Sequence, residues 1–413
     1  MSGNFQVMIH YHEVKRMKDD IVIFLFIDAL GWELVSRTSF MSAELPFRRK
    51  IEMQFGYSST AVPTILSGCP PAEHGHLGLF RFAPDHSPFR LLGKIAPLMV
   101  PKSFWNRGRI RNWLSRIIAR LYGFTGYFQL YQMPFEKLAL MDYCEKHDLF
   151  AAHGMEQIEN LQDLLIRLKI PYHISNWHLG DRRNFEAARQ AIRQDKKFLF
   201  IYTAELDALL HQFPAPPVAD VIQAKLKWYS EQINSLFRLG GELKKNIRLT
   251  VISDHGMTPL SRTVDLKSAI EKTPLVFGRD YGACYDSTMF RATFLSPESE
   301  KVIREAVRPF ESCGHWLSEA EEKHYGIYRS DRRFGDAVFL MDPGIQIVPS
   351  DMGAKPLNGM HGFAPEDKDS QAVVLSTEEI PERVQCVADY FSMMKQRMQE
   401  ITAADNQSSN SAK

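Results

Sequence analysis

Five runs along the chain are apolar at nearly every position for the length of a strand, and each ends abruptly in polar residues. They are IVIFLFIDAL (21–30), FLFIYTAELD (198–207), LTVISDHGM (249–257), AVFLMD (337–342) and AVVLST (372–377). Unbroken rather than alternating apolarity predicts strands buried on both faces, as in a mostly parallel sheet covered by helices. Stretches 184–196 and 218–243 between them carry helical spacing. This order predicts an α/β fold, in which ligands bind beyond the carboxyl ends of the strands. Asp28, Asp207, Asp254 and His255 fall at those ends. One Asp after a strand is ordinarily a turn or cap residue; four such side chains after three strands point to a site.

The pattern changes between His86 and Phe135, which holds eight basic residues and no acidic one. Within it Ile110, Trp113, Leu114, Ile117, Ile118 and Leu121 follow the spacing of one helix face, predicting an amphipathic helix in an inserted cap. Two readings stand side by side: a helix with a solvated basic face, or a cap that draws a polyanionic substrate or rests on an anionic membrane near a lipid-linked phosphate. The whole chain of 413 residues has a net charge of +1, so the basic stretch is a local feature. No recognised nucleic-acid module accompanies it, and no nucleic acid is expected as a partner. Five cysteines, odd in number and without a CxxC pair, suggest neither a thiolate zinc site nor a disulfide framework. The polar N-terminus lacks the apolar core of a signal peptide, and the longest apolar run is too short to span a bilayer. A cytoplasmic setting, with peripheral membrane contact through the cap as its variant, is the expectation.

Candidate chemistry gathers around the strand ends. Asp207 and His211 stand four apart, on one helix face if Asp207 opens a helix. Asp254 and His255 are adjacent, so a turn must begin there for both to converge, and Gly256 permits one. His361 lies between Gly359 and Gly362. With Asp28, these six side chains and one hydroxyl suit a two-metal site. Carboxylate and imidazole without thiolate favour Zn²⁺ and admit Mn²⁺. The hydroxyl comes from GYSSTAVPTILSG (56–68). A helix is predicted there from about Thr60 to Leu66, ending at Gly68, with Pro63 in its first turn. Ser58 would then precede the helix and face an anion, while Ser59 and Thr60 cap it.

Taken together these motifs resemble the alkaline phosphatase superfamily, nearest its nucleotide pyrophosphatase/phosphodiesterase (type I phosphodiesterase) branch. The resemblance runs from residue 21 to 363 with the motifs in order. "PxxHG" is Pro71 to Gly75, "DxxxH" is Asp207 and His211, "SDHGM" is Ser253 to Met257, "HG" is His361 and Gly362, and the first aspartate is Asp28. Counting ten back from Gly68, as the superfamily does, makes Ser58 the nucleophile. The resemblance implies that one ion takes Asp28, Ser58, Asp254 and His255, and the other Asp207, His211 and His361. Two positions depart from the branch. Ser58 stands where it usually has Thr, and Leu79 where it has an Asn touching the phosphoryl oxygen. Arg81 and Ser59 are the candidate substrate contacts.

The expected architecture is a three-layer α/β/α core with a central mostly parallel sheet, alkaline phosphatase-like, plus an inserted cap. Its core parts would be 1–85, 141–265 and 336–402, interrupted by the basic cap at 86–140 and a smaller insertion at 266–335, with a disordered tail at 403–413. The expected function is metal-dependent cleavage of a phosphodiester or pyrophosphate bond through a covalent Ser58 intermediate. The alternatives are transfer of a phosphoryl-containing head group to an alcohol or glycan, phosphomonoester hydrolysis, and, ranked last, an inert binding protein of the same fold.

Overall fold

The computed structural model describes residues 20–156 and 158–411; the stretch read above for a signal segment lies outside them. Six strands form the central sheet, in the order Phe47–Ile51, Ala372–Ser376, Asn246–Ile252, Asp20–Ile27, Phe198–Thr203, Tyr172–Ile174. Asp20–Ile27 runs parallel to both its neighbours, Ile23 pairing with Leu199 on one side and Leu249 on the other. Ala372–Ser376 runs antiparallel to both of its own neighbours. Five strands therefore point one way and one is reversed.

Every residue of Asp20–Ile27 is buried, which is why its sequence does not alternate. Ile21, Ile23 and Leu25 face a core packed by helices Asp181–Arg193 and Asp220–Glu242. Val22, Phe24 and Phe26 face the opposite core, packed by Ser58–Ser67, Leu161–Arg167 and Asp389–Ser411. Each such side chain contributes about 1.5–3 kcal/mol of burial, and the period of two distributes them to both helical layers. The result is the three-layer α/β/α arrangement.

Four expectations change. AVFLM does not join the central sheet: Ala337–Met341 lies inside a second, antiparallel sheet with Tyr281–Tyr285, Met289–Phe294 and Gly314–Trp316. Its side chains also enter two cores, Phe339 one and Val338 and Leu340 another, so it carries the same apolar signature. The last helix continues through Ser411 rather than ending in a disordered tail at 403; Ile401 still packs in the core beside the sheet, and Ala404 is buried. The helix after Tyr57 starts at Ser58, not Thr60, with Pro63 in its interior; Pro63 simply has no N–H to offer the carbonyl of Ser59. Finally, the cap helix Gly108–Tyr122 buries Arg111, Leu114, Ser115 and Ile118, leaving Trp113 and Leu121 exposed. The guanidinium of Arg111 turns inward to donate to the carbonyls of Tyr131 and Met133.

The cap has its own core of Phe89, Leu114, Ile118, Phe128 and Leu130, continuous with Phe80 and Tyr143. No helix among the described residues is long and apolar enough to cross a membrane.

Candidate active site

All seven proposed site residues come together beyond the carboxyl ends of the sheet. Asp28 directly follows the first strand. The next residue, Ala29, takes a left-handed backbone (φ 61°), and its N–H reaches Asp254 Oδ1 at 3.3 Å. Asp254 and His255 follow Asn246–Ile252 and are fully buried. Gly256 has to be glycine for closeness rather than for a left-handed turn: a Cβ there would lie 2.1 Å from the Asp369 carbonyl oxygen. Asp207 sits in the short helix Glu205–Leu210, with His211 at its end. His211 is tied to the segment leading to His361, since Nδ1 donates to the Gly359 carbonyl at 2.8 Å. Met360 pairs across to Thr258, which links the His361 loop to the Asp254–His255 loop.

Ser58 Oγ lies 3.0 Å from His255 Nε2. His255 donates from Nδ1 to the Gly256 carbonyl at 2.8 Å, so in the neutral ring Nε2 is the lone-pair nitrogen, and it faces Ser58. Asp254 Oδ2 is 3.2 Å and Asp28 Oδ1 3.6 Å from that nitrogen. Asp207 Oδ2 is 3.4 Å from His211 Nε2, and its Oδ1 3.7 Å from His361 Nε2. The rings of His255 and His361 stack at 3.7 Å.

The donor set fits divalent cations. Asp28 Oδ1, Asp207 Oδ1, Asp254 Oδ2 and His361 Nδ1 are buried without a hydrogen-bond partner, a cost a metal would remove. Burial, then the charges of Asp254 and Asp207, pushes the Asp28 carboxyl well above its ordinary range. Burial would also raise Asp207, but the hydrogen bond and charge of His211 outweigh it and hold that carboxyl below the usual range. Burial, then His255, keeps His361 neutral, the form that binds a metal. In each of two groups the ligand atoms lie within 4.8 Å of one another: Asp207, His211 and His361 form one, and Asp28, Asp207 and His255 the other. Asp207 thus stands between the two groups rather than in one.

The sequence profile of the type I phosphodiesterase / nucleotide pyrophosphatase family matches residues 22–364, which is most of the chain. The chain belongs to this family. It is accordingly a phosphoester hydrolase of a metal-dependent family. The fold agrees with solved members. Murine ectonucleotide pyrophosphatase / phosphodiesterase 5, as an inactive variant with AMP, superimposes with a TM-score of 0.62 at 14% identity, covering 92% of this chain and 95% of that one. The human counterpart gives 0.61 at 12% identity, with the same coverage. No curated protein sequence matches the chain at a significant level.

Within this family frame, one cavity of about 410 Å³ holds the site. Asp28, Ser58, Ser59, Asp207, His211 and His361 line it, and so does Leu79. Arg81 does not line it. Its guanidinium donates twice to Asp142 Oδ2, at 3.1 and 2.6 Å, so the strand pairing that carries it also occupies it. Ser59 does not cap the helix, which has no side-chain cap. Thr60 turns its Oγ1 to accept from the N–H of Gly78 at 3.3 Å. His74 is held by structure: Nε2 meets Thr64 Oγ1 at 2.9 Å, and Nδ1 accepts from the N–H of His76.

The rest of the wall was not legible as such. Tyr127, Tyr131, Glu145, Phe150, Trp177 and Tyr202 bring an aromatic side and one carboxyl into the cavity. Glu145 is buried, and desolvation alone raises it to about 8.

Proposed function

We propose that the chain cleaves a phosphodiester or pyrophosphate bond by attack of Ser58 Oγ on phosphorus, in a site that holds two divalent ions. The single observation that carries this reading is Ser58 itself. Its Oγ opens a ten-residue helix, lies 3.0 Å from His255 Nε2 and shares one cavity with Asp28, Asp207, His211 and His361. The first-turn N–H groups of that helix lack intrahelical partners and favour an anionic phosphoryl group. Asp28, Ser58, Asp254 and His255 would hold one ion, and His211 and His361 the other, with Asp207 able to serve either. Bound dications, Zn²⁺ by donor chemistry, would neutralise the phosphoryl charge and favour the serine alkoxide.

In the first step the Oγ–P bond forms, the bond to the leaving oxygen breaks, and that oxygen takes up a proton. Water then cleaves the Oγ–P bond and restores Ser58. The carbonyls of Gly256 and Gly359 fix the ring orientations of His255 and His211, which second-shell hydrogen bonds do at metal sites generally. Leu79 supplies no polar contact to the phosphoryl oxygen, so the helix start and Ser59 carry that task. The cavity's size is that of a small-molecule site, and its aromatic wall faces the leaving group.

The test is a panel of aryl phosphodiester, aryl ester of a nucleotide, aryl monophosphate and aryl sulfate, with acid-quenched protein examined by mass spectrometry. Turnover of a diester with a phosphoryl adduct on the Ser58 peptide is expected. Preference for the sulfate, or an adduct elsewhere, would overturn the reading.

A further inference from the structure

Five large hydrophobic side chains among the described residues are more than half exposed: Leu91 67%, Leu98 76%, Val100 67%, Trp113 58% and Leu121 74%. All five lie within one stretch of the cap, 91–121. Single exposed apolar residues need no explanation, whereas a cluster does. The same stretch is free of acidic residues. Lys94, Arg109, Arg116 and Arg120 have no ion-pair partner among the described residues. Arg116 and Arg120 share the outer side of Gly108–Tyr122 with Trp113, at three- and four-residue spacing.

Interleaved exposed apolar and unpaired basic side chains match the boundary between lipid head groups and acyl chains. We propose that this stretch of the cap, 91–121, docks peripherally on an anionic phospholipid bilayer. Leu91, Leu98, Val100 and Trp113 enter the interface, and the unpaired Lys and Arg side chains meet the lipid phosphates.

The docking face is mechanically joined to the catalytic cavity. Buried Arg111, on the inner side of the same helix, donates to the carbonyls of Tyr131 and Met133. Ser115 Oγ accepts from the Leu130 N–H at 3.0 Å. The loop so held carries Tyr127 and Tyr131, which line the cavity. The membrane-facing surface and the substrate wall are thus two sides of one packed segment.

The test is flotation of the full-length protein with vesicles of phosphatidylcholine alone and with added phosphatidylglycerol, at low and at molar salt. Binding to the anionic vesicles, lost at high salt, is expected. Arg116→Glu with Arg120→Glu should weaken it on the order of 30-fold or more, from about fivefold for each basic charge removed. Leu98→Asp with Val100→Asp should weaken it independently of salt. Both double variants change exposed residues outside the cavity and should hydrolyse a soluble aryl phosphodiester as wild type does, which separates failed docking from failed catalysis. Absence of binding to anionic vesicles would overturn the proposal. So would equal binding to neutral vesicles unaffected by the arginine variant, or a dimer that the same substitutions dissociate, since a second copy would then cover the face.

Discussion

The floor and the wall of the cavity are built on opposite principles. The floor consists of Asp28, Asp207, Asp254, His211, His255 and His361, held at strand ends with several polar atoms buried and unpartnered. The wall of Tyr127, Tyr131, Phe150 and Trp177, with Tyr202 from the end of the strand Phe198–Thr203, comes mostly from segments outside the central strands and is largely self-satisfied. Tyr127 and Tyr131 share a hydroxyl–hydroxyl bond at 2.6 Å, and Tyr127 packs edge-on to Trp177. A floor that is unstable without a ligand is a device for chemistry, and a wall stable by itself is a device for selection. Changes in the floor should therefore act on turnover, and changes in the wall on substrate binding.

The sharpest way to break this division is Ser58→Ala. It should lower turnover about 10³-fold or more while metal content, read by elemental analysis, stays at the wild-type level. Undiminished hydrolysis would remove Ser58 from the mechanism. Next comes Asp207→Asn, because both ligand groups include this carboxylate. It should deplete metal from the whole site and cost on the order of 100-fold in activity; full metal occupancy in that variant would place Asp207 outside both groups. In the wall, Trp177→Ala should raise KM for an aromatic leaving group about tenfold with kcat little changed. A fall in kcat alone would contradict the division of labour.

The smallest effect concerns Glu145, a buried carboxyl of the wall. Its folded pKa is raised to about 8 from an ordinary 4.5 by desolvation. Between those values the unfolded chain has released the proton that the folded chain retains, so the stability this group confers is present at low pH and is lost as pH rises through about 8. In chelated protein the Tm of wild type should therefore fall more steeply from pH 5 to pH 8 than that of Glu145→Gln. Parallel curves would show that Glu145 is not desolvated.

The strands and the floor were legible because their signals are local. A strand buried on both faces reads as unbroken apolarity, and an Asp or His just past its end is placed by the chain itself. The wall was not legible, because Tyr127, Glu145 and Trp177 meet only through tertiary packing. Arg81 shows the limit in one residue. In sequence it stands two positions from Leu79 and looks free to replace a polar contact, yet strand pairing with 141–143 sets Asp142 opposite and claims its guanidinium. Trp113 and Leu121 fit the apolar spacing of the cap helix but face solvent, because spacing identifies a face and cannot say which neighbour covers it.

By itself, then, the sequence determined the α/β class, the family and the identity of the side chains that meet at the strand ends, since burial and chain direction act within a few residues. Tertiary structure alone decided that AVFLM belongs to a second sheet, that Asp207 stands between two ligand groups, and that the cap turns apolar and basic side chains outward. Each of those depends on which distant surface reaches a residue first, and that is a property of packing rather than of any local pattern.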